Sequence, residues 1–260
     1  MVDLHAHILP GLDDGPTDMT EAVAMCRLAA EDGTTTMVAT PHMLGGLYTV
    51  TREAVLRGVQ RLRKRLGAEG VPLKVEPGAD VHLEPDVCEL LQRGRLVTVG
   101  DRGRYLMLEL PQAVIPDRLS ELRFSMQVAG LTPIISHPER NFEVQANPDV
   151  MRPFVESGTI LQLTAASVVG DLGRRAERCA HQLLRARLAH VVASDAHSLR
   201  NRPPGLSRAR AVVERVLSAD EADEMFDRRP ERILAGEYLD VPEPVTLRLS
   251  RRERWFSWRR

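Results

Sequence analysis

Lysine, cysteine and aromatic residues are all scarce in this 260-residue sequence. Lysine occurs only as Lys64 and Lys74, and the 35 basic residues, nearly all arginine, are balanced by 36 acidic ones. A formal net charge of -1 therefore gives no indication of a nucleic-acid-binding protein. The three cysteines form no CxxC pair, which is typical of a reducing, cytoplasmic setting and not of a disulfide-stabilised fold.

Long apolar runs are absent as well. No stretch approaches the roughly 20 apolar residues that span a bilayer, so we predict no transmembrane segment. The N-terminal segment has no basic flank and contains Asp3, Asp13 and Asp14, which argues against a cleaved signal peptide. With 43% hydrophobic and 27% charged residues, the composition is that of a globular chain.

Short β-branched apolar runs alternate with longer segments of helical periodicity, a pattern that predicts βα units and a parallel sheet. The length suits a single α/β barrel domain over residues 1–239. Seven strands are predicted, at 1–4, 35–39, 73–76, 104–108, 132–135, 160–163 and 190–193. Helices are predicted over 19–31, 51–66, 85–92, 116–128, 149–156, 174–186, 207–217 and 219–226.

Residues 240–260 differ in composition from the preceding domain. They contain two prolines and six arginines and end on Trp255, Phe256, Trp258 and two arginines. We predict a basic, flexible C-terminal tail. Contact of this aromatic and basic end with an anionic membrane surface is the alternative.

Histidine and acidic residues fall where the predicted strands end. His5 and His7 close the first strand, and their i, i+2 spacing places both imidazoles on one face of an extended chain. In parallel α/β folds, ligands gather at the carboxyl edge of the strands. The other candidates at that edge are Asp14, His42, Asp80, Glu109, His137, Asp195 and His197.

The convergence of five imidazoles and four carboxylates at one edge of the barrel indicates a metal site. Several uncompensated buried carboxylates would repel one another, and divalent cations relieve that repulsion. Imidazole and carboxylate together suit Zn, Fe or Mn, and nine ligands exceed what one ion can use. A lone histidine such as His42 is more often a hydrogen-bonded core residue than a ligand, so the interpretation depends on the whole set. His82, His181 and His190 remain unassigned.

A cysteine-dependent phosphatase is the first rival, because Cys179 and Arg185 are spaced as C-x5-R. A phosphate-binding loop needs free backbone N–H groups and usually glycine. Residues 174–188 instead have a strongly helix-forming composition. We therefore predict that Cys179 is an ordinary helix residue.

The segments HAHILPGLDDGP, ATPH, GAD, LEL, ISHPER and ASDAH resemble, in order and spacing, the motif series of the PHP (polymerase and histidinol phosphatase) superfamily. More narrowly, DDGP, HPER and SDAHSLRNRPP resemble the bacterial capsular-polysaccharide protein tyrosine phosphatases of the CpsB/YwqE type. The resemblance covers residues 1–236. It implies a distorted (β/α)7 barrel with two to three divalent metal ions, commonly Mn, with Fe or Zn also possible.

The resemblance also implies a role for each candidate residue. One metal would lie on His5, His7, Asp80 and Asp195, a second on Asp80, Glu109 and His137, and a third on Asp14, His42 and His197. Asp13 replaces Asp14 if the turn is set one residue differently. Arg140 and Arg202 match arginines that hold the substrate phosphate, and with His42 they form the catalytic set. Position 80 usually carries glutamate in the family and carries aspartate here, which puts its bridging of two metals in question.

The function implied by the resemblance is metal-dependent hydrolysis of phosphotyrosine. The expected partner is a bacterial tyrosine autokinase that controls exopolysaccharide or capsule synthesis. The alternative is another PHP-type phosphatase, acting on histidinol phosphate or a small phosphomonoester. A non-catalytic binding protein would require missing ligands, and only Asp80 departs from the pattern.

Overall fold

The computed structural model describes residues 1–246 as an α/β fold. Its strands are β1 (Val2–Ala6), β2 (Thr36–Ala39), β3 (His42–Met43), β4 (Lys74–Pro77), β5 (Asp80–His82), β6 (Tyr105–Glu109), β7 (Thr132–Ser136), β8 (Ile160–Thr164) and β9 (Val191–Ala193). Its helices are α1 (Met19–Glu31), α2 (Arg52–Ala68), α3 (Val87–Gln92), α4 (Leu119–Val128), α5 (Phe142–Ala146), α6 (Arg152–Glu156), α7 (Ala165–Val168), α8 (Arg174–Arg185), α9 (Ser207–Val216), α10 (Ala219–Asp223) and α11 (Arg229–Ala235).

All seven predicted strands are confirmed, and two of them resume after a break. The second continues as β3 and the third as β5, which gives nine strands in the described residues. Pro41 interrupts the second because it has no backbone N–H to donate. Gly78 interrupts the third at a close approach, where a Cβ would come within 2.6 Å of Val38 Cγ1.

The strands form a distorted barrel in which every ladder is parallel. The hydrogen-bonded order is β1-β2-β4 in one sheet and β3-β5-β6-β7-β8-β9 in the other, so there is no single continuous ladder among residues 1–246. The chain after β9 returns to β1, because Asp195 N donates to His5 O and His7 N donates to Ala196 O, both at 2.8 Å. The expected (β/α)7 architecture is therefore present in distorted form.

All eight predicted helical segments contain helix, although some are shorter or divided. The 149–156 prediction resolves into a 3₁₀ turn, Pro148–Met151, followed by α6. The 219–226 prediction becomes α10 and a π-helical turn, Glu224–Arg228, which leads into α11. α5, α7 and α11 were not predicted.

Side chains inside the barrel form an apolar layer beneath a polar one. Met107, Ile134 and Ile160 are paired across β6, β7 and β8 and belong to a buried apolar cluster. Two residues further along the same strands, Glu109, Ser136 and Gln162 are paired in the same way. Because side chains alternate along a strand, the second set lies on the same face, one layer nearer the carboxyl edge. The apolar layer thus supports a polar site above it.

None of the helices within residues 1–246 has the length and apolar character needed to cross a membrane. The described part of the predicted tail contacts the domain, since Val245 N donates to Ala186 O at 2.9 Å and Arg152 Nη2 donates to Val245 O at 3.1 Å. The remainder of the predicted tail, residues 247–260, lies outside the described residues.

Candidate metal centre

The first strand places two imidazoles at the polar layer with fixed orientations. His5 Nδ1 donates to Gln162 Oε1 at 2.8 Å, and His7 Nδ1 donates to Asp13 Oδ2 at 2.6 Å. The Nε2 atoms of His5 and His7 face each other at 3.1 Å. With both Nδ1 atoms engaged as donors, each Nε2 presents a lone pair. Two lone pairs that face each other at this distance repel, and a bound cation or proton relieves that repulsion.

Asp80 lies between this pair and the imidazoles of two other strands. It is fully buried, and its Oδ1 accepts a hydrogen bond from Ser136 Oγ at 2.9 Å. Its Oδ2 lies 3.6 Å from His5 Nε2 and 3.7 Å from both His42 Nδ1 and His137 Nε2. The shorter aspartate side chain at position 80 therefore reaches three imidazoles at once.

Every one of the nine predicted ligands lies in a group whose ligand atoms are mutually within 4.8 Å. One group equals the predicted second set, Asp80, Glu109 and His137, and another contains the predicted third set with His7 added. The predicted first set is divided between two groups that share His5. The groups are His7, Asp14, His42 and His197; His5, His7 and Asp80; His5, His137 and Asp195; His42, His82 and Glu109; and Asp80, Glu109 and His137.

The polar atoms at this centre fit divalent cations. Among the described residues, five predicted ligands carry a buried side-chain atom with no hydrogen-bond partner, namely His42 Nδ1, Asp80 Oδ2, Glu109 Oε2, Asp195 Oδ1 and His197 Nε2. A buried polar atom without a partner costs roughly 1–3 kcal/mol. Converging imidazole and carboxylate atoms of this kind are the donor set of Zn, Fe or Mn.

Burial and neighbouring charge shift the pKa values of the groups at this centre. Burial and the surrounding imidazoles hold the pKa of His7 well below its usual range. Burial opposes ionisation of Asp195, but the surrounding positive charges outweigh it and lower its pKa to about 2. Burial likewise opposes a charge on His42, but the carboxylates of Glu109, 3.3 Å from His42 Nδ1, and Asp80 outweigh it and raise its pKa to about 9. A cation at His42 must therefore displace a proton.

The two predicted arginines meet at one oxygen of Asp195. Arg140 Nη1 donates to Asp195 Oδ2 at 2.8 Å, and Arg202 Nη2 donates to the same atom. Asp195 Oδ1 faces the imidazoles instead, at 3.4 Å from His5 Nε2 and 3.6 Å from His7 Nε2. The two guanidinium side chains are 33% and 26% exposed, so an incoming anion can reach them beside the histidine cluster.

Two of the predicted ligands have unusual backbone conformations. His137 has a φ of 33° and Asp195 a φ of 54°, values at which non-glycine residues are rare. Such conformations cost about 1–3 kcal/mol each and cluster at functional sites. The turns after β7 and β9 thus hold His137 and Asp195 in left-handed backbone conformations at the metal centre.

Sequence reasoning left two contributors unassigned. His82 Nε2 lies 3.1 Å from Glu109 Oε2, and Gln162 orients His5. His82 follows Asp80 by two residues on β5, so the alternation of a strand could have identified it. His181 contacts Val168 O and His190 accepts from Leu161 N, both without contact to the centre.

Cys179 lies inside α8, as predicted, and is buried. Its Sγ donates to Val144 O at 3.5 Å, and burial raises the pKa of the thiol. A protonated thiol in a helix interior lacks the exposed thiolate that a cysteine phosphatase requires.

The structure gives Asp13 and Asp14 different positions. Asp13 Oδ2 accepts hydrogen bonds from His7 Nδ1 at 2.6 Å and from His42 N at 3.0 Å. Asp14 Oδ1 instead faces the Nε2 atoms of His42 (3.6 Å) and His197 (3.4 Å).

Carboxylates that orient a metal-binding histidine typically contribute 10- to 100-fold to metal affinity. We therefore expect Asp13→Asn to weaken metal binding about 10- to 100-fold, measured by competition with a chelator. Asp171→Asn, which changes a surface ion pair with Arg208, serves as the control. An Asp13→Asn variant with wild-type metal affinity would contradict this role.

Comparison with known proteins identifies the family. A family model described as "Capsular polysaccharide synthesis, CpsB/CapC" matches residues 1–235. Tyrosine-protein phosphatase YwqE of Bacillus subtilis is 34% identical over 250 residues, which cover 95% of this chain and 98% of the relative. Tyrosine-protein phosphatase CpsB of Streptococcus pneumoniae is 26% identical over 244 residues, 92% of this chain and 100% of the relative.

Solved structures agree with this relationship. A chain from the crystal structures of YwqE from Bacillus subtilis and CpsB from Streptococcus pneumoniae, described as unique metal-dependent tyrosine phosphatases, matches with a TM-score of 0.91 and 32% identity over 96% of this chain and 100% of that one. The phosphotriesterase homology protein of Escherichia coli shares the fold alone, with a TM-score of 0.59 and 10% identity over 90% of this chain and 98% of that one. From the match over residues 1–235 and the 34% identity to YwqE, this chain belongs to the CpsB/CapC family.

Proposed function

We propose that this chain is a metal-dependent protein-tyrosine phosphatase. The observation that carries the proposal is the convergence of nine imidazole and carboxylate ligands beside two partly exposed arginines. The tyrosine phosphatase names of the relatives support the same activity. We assign the metal ligands as His5, His7, Asp14, His42, Asp80, Glu109, His137, Asp195 and His197, and the phosphate-binding residues as Arg140 and Arg202.

In this mechanism the chain's own residues bind and orient the phosphate. Arg140 and Arg202, which donate to Asp195, also donate hydrogen bonds to two oxygens of the bound phosphate. Planar, permanently charged guanidinium groups are suited to this task. Divalent cations held by the nine ligands would supply Lewis-acid activation of a water and neutralise phosphate charge. Gln162 and Asp13 keep His5 and His7 in the tautomer that presents Nε2 to the centre.

The leaving group places little demand on the protein. A tyrosyl phenolate, whose conjugate acid has a pKa of about 10, leaves without a strong general acid. Phosphoryl transfer depends mainly on positioning and charge neutralisation. The densely charged centre is suited to both tasks.

The finer assignments belong to the same proposal. We propose two to three ions, Mn²⁺ in the first instance, and a bacterial tyrosine autokinase of capsule or exopolysaccharide synthesis as the phosphotyrosine partner. The family's description as capsular polysaccharide synthesis supports that partner. We also propose a cytoplasmic location, which the unpaired state of Cys26, Cys88 and Cys179 supports.

Metal content and substrate preference test this function together. We expect purified protein to carry two to three equivalents of divalent metal, and chelation to abolish hydrolysis of a phosphotyrosyl peptide. Supplying Mn²⁺ to the chelated protein should restore the rate. Histidinol phosphate, assayed in parallel, represents the alternative PHP activity. Full activity after complete demetallation, or a higher kcat/KM for histidinol phosphate, would overturn the proposal.

A further inference from the structure

The loop that follows β3 brings an aromatic ring next to the metal centre. Leu44, Gly45 and Gly46 have φ values of 68°, 74° and 74°, so three consecutive residues adopt the left-handed conformation. A Cβ on Gly45 would lie 2.8 Å from ring atoms of His82. Because Gly45 has no Cβ, its backbone can pass close to that imidazole. Residues 44–49, which we call the β3 loop, therefore lie beside the metal centre.

Tyr48 of the β3 loop lies beside one of the predicted ligands. Its ring is nearly parallel to that of His42, with an interplanar angle of 8° and centroids 6.0 Å apart. Tyr48 thus places an uncharged aromatic ring next to the imidazoles and carboxylates of the centre.

Exposed apolar side chains also occur on the segments that follow β6 and β7. Val114 and Phe142 are exposed there, and hydrogen bonds join these segments: Asn141 Nδ2 donates to Val114 O at 3.0 Å, and Phe142 N donates to Gln112 O at 2.9 Å. The segments leave the barrel at the same carboxyl edge as the metal centre. The carboxyl edge of the barrel therefore carries exposed apolar groups as well as the charged centre.

We propose that Tyr48 binds the aryl ring of the phosphotyrosyl side chain. The inference rests on the proposed function and adds the subsite that selects an aryl ester. The planar, permanently charged guanidinium groups of Arg140 and Arg202 suit the phosphate, which leaves the ring of the substrate to a separate contact. Aromatic pairs favour offset or edge-to-face contact, and Tyr48, already held beside His42, offers such a surface.

Truncation of the tyrosine ring tests the proposal. We expect Tyr48→Ala to raise the KM for a phosphotyrosyl peptide about three- to tenfold, the effect of losing one aromatic pair, with kcat nearly unchanged. The affinity for the same peptide carrying non-hydrolysable phosphonomethyl-phenylalanine should fall by a similar factor. The inhibition constant of inorganic phosphate, which has no ring, should stay at the wild-type value. Tyr48→Phe should match the wild type because it keeps the ring.

Two controls separate this effect from damage to the centre. Metal content of Tyr48→Ala should equal that of the wild type, and Phe124→Ala, which truncates a 62% exposed ring on α4, should change none of these constants. Equal losses for peptide and phosphate, or an unchanged peptide KM, would overturn the ring subsite while leaving the phosphatase function intact. A wild-type protein that does not hydrolyse phosphotyrosine would instead overturn the proposed function.

Discussion

His42→Ala is expected to lower kcat/KM for a phosphotyrosyl peptide by at least about a thousandfold, whereas Cys179→Ser should leave it nearly unchanged. A thousandfold loss corresponds to about 4 kcal/mol of transition-state stabilisation, a reasonable magnitude for loss of a metal ligand. His42 faces Asp14, Asp80 and Glu109 within 3.7 Å, so its removal leaves their charges without an imidazole partner. The measurement is steady-state kinetics with Mn²⁺ present.

The pair of variants distinguishes two kinds of phosphatase. Cys179 is buried in α8, and a serine there can still donate to Val144 O. Its thiol has no contact with a predicted metal ligand. An inactive Cys179→Ser protein that remains folded by circular dichroism, together with an active His42→Ala protein, would overturn the metal-dependent mechanism.

Asp80→Ala and Asp80→Asn are both expected to lose bound metal and at least about a thousandfold in kcat/KM. Asp80 Oδ2 is the atom that His5, His42 and His137 share, and surrounding imidazole charges keep the pKa of this carboxyl low despite its burial. Asparagine preserves the shape and the acceptor for Ser136 Oγ but removes the anion. Loss of metal and activity in Asp80→Asn would therefore show that the negative charge of Asp80 is required, and not only its packing.

Metal content measured by elemental analysis, alongside activity, checks this prediction. Asp80→Glu keeps the carboxylate on a side chain longer by one methylene and is expected to keep metal binding. Asp171→Asn, at an exposed ion pair with Arg208, controls for the loss of a carboxylate elsewhere. Full metal occupancy in Asp80→Asn would show that Asp80 is not a shared ligand.

The helices illustrate how far local sequence information extends. α1 begins and ends where predicted, because Asp18 caps it by accepting from Thr20 N and Glu21 N, and its apolar face has a clear period. α5 and α7 span about one turn each, which is too short for a period to be recognised. α11 was missed because Pro230 interrupts the pattern, although proline is tolerated in the first turn of a helix.

The sequence alone determined which chemical groups stand at the strand ends and which of them share a face. A strand alternates with a period of two, so His5 and His7 can be placed on one face from their spacing. Asp195 and His197 have the same spacing, but they lie in the turn after β9, where Asp195 has a φ of 54°. The order of motifs along the chain also predicted the fold and the family.

Only the tertiary structure decided which groups from different strands meet. Alternation fixes a face but not the register between strands, and register is what aligns Glu109, Ser136 and Gln162 in one layer. The positions of Asp13 and Asp14, the contact of His82 with Glu109, and the meeting of Arg140 and Arg202 at Asp195 depend on how loops far apart in sequence close over the barrel. Those contacts form only when the strands pair, because no local propensity encodes a distance between residues that far apart in sequence.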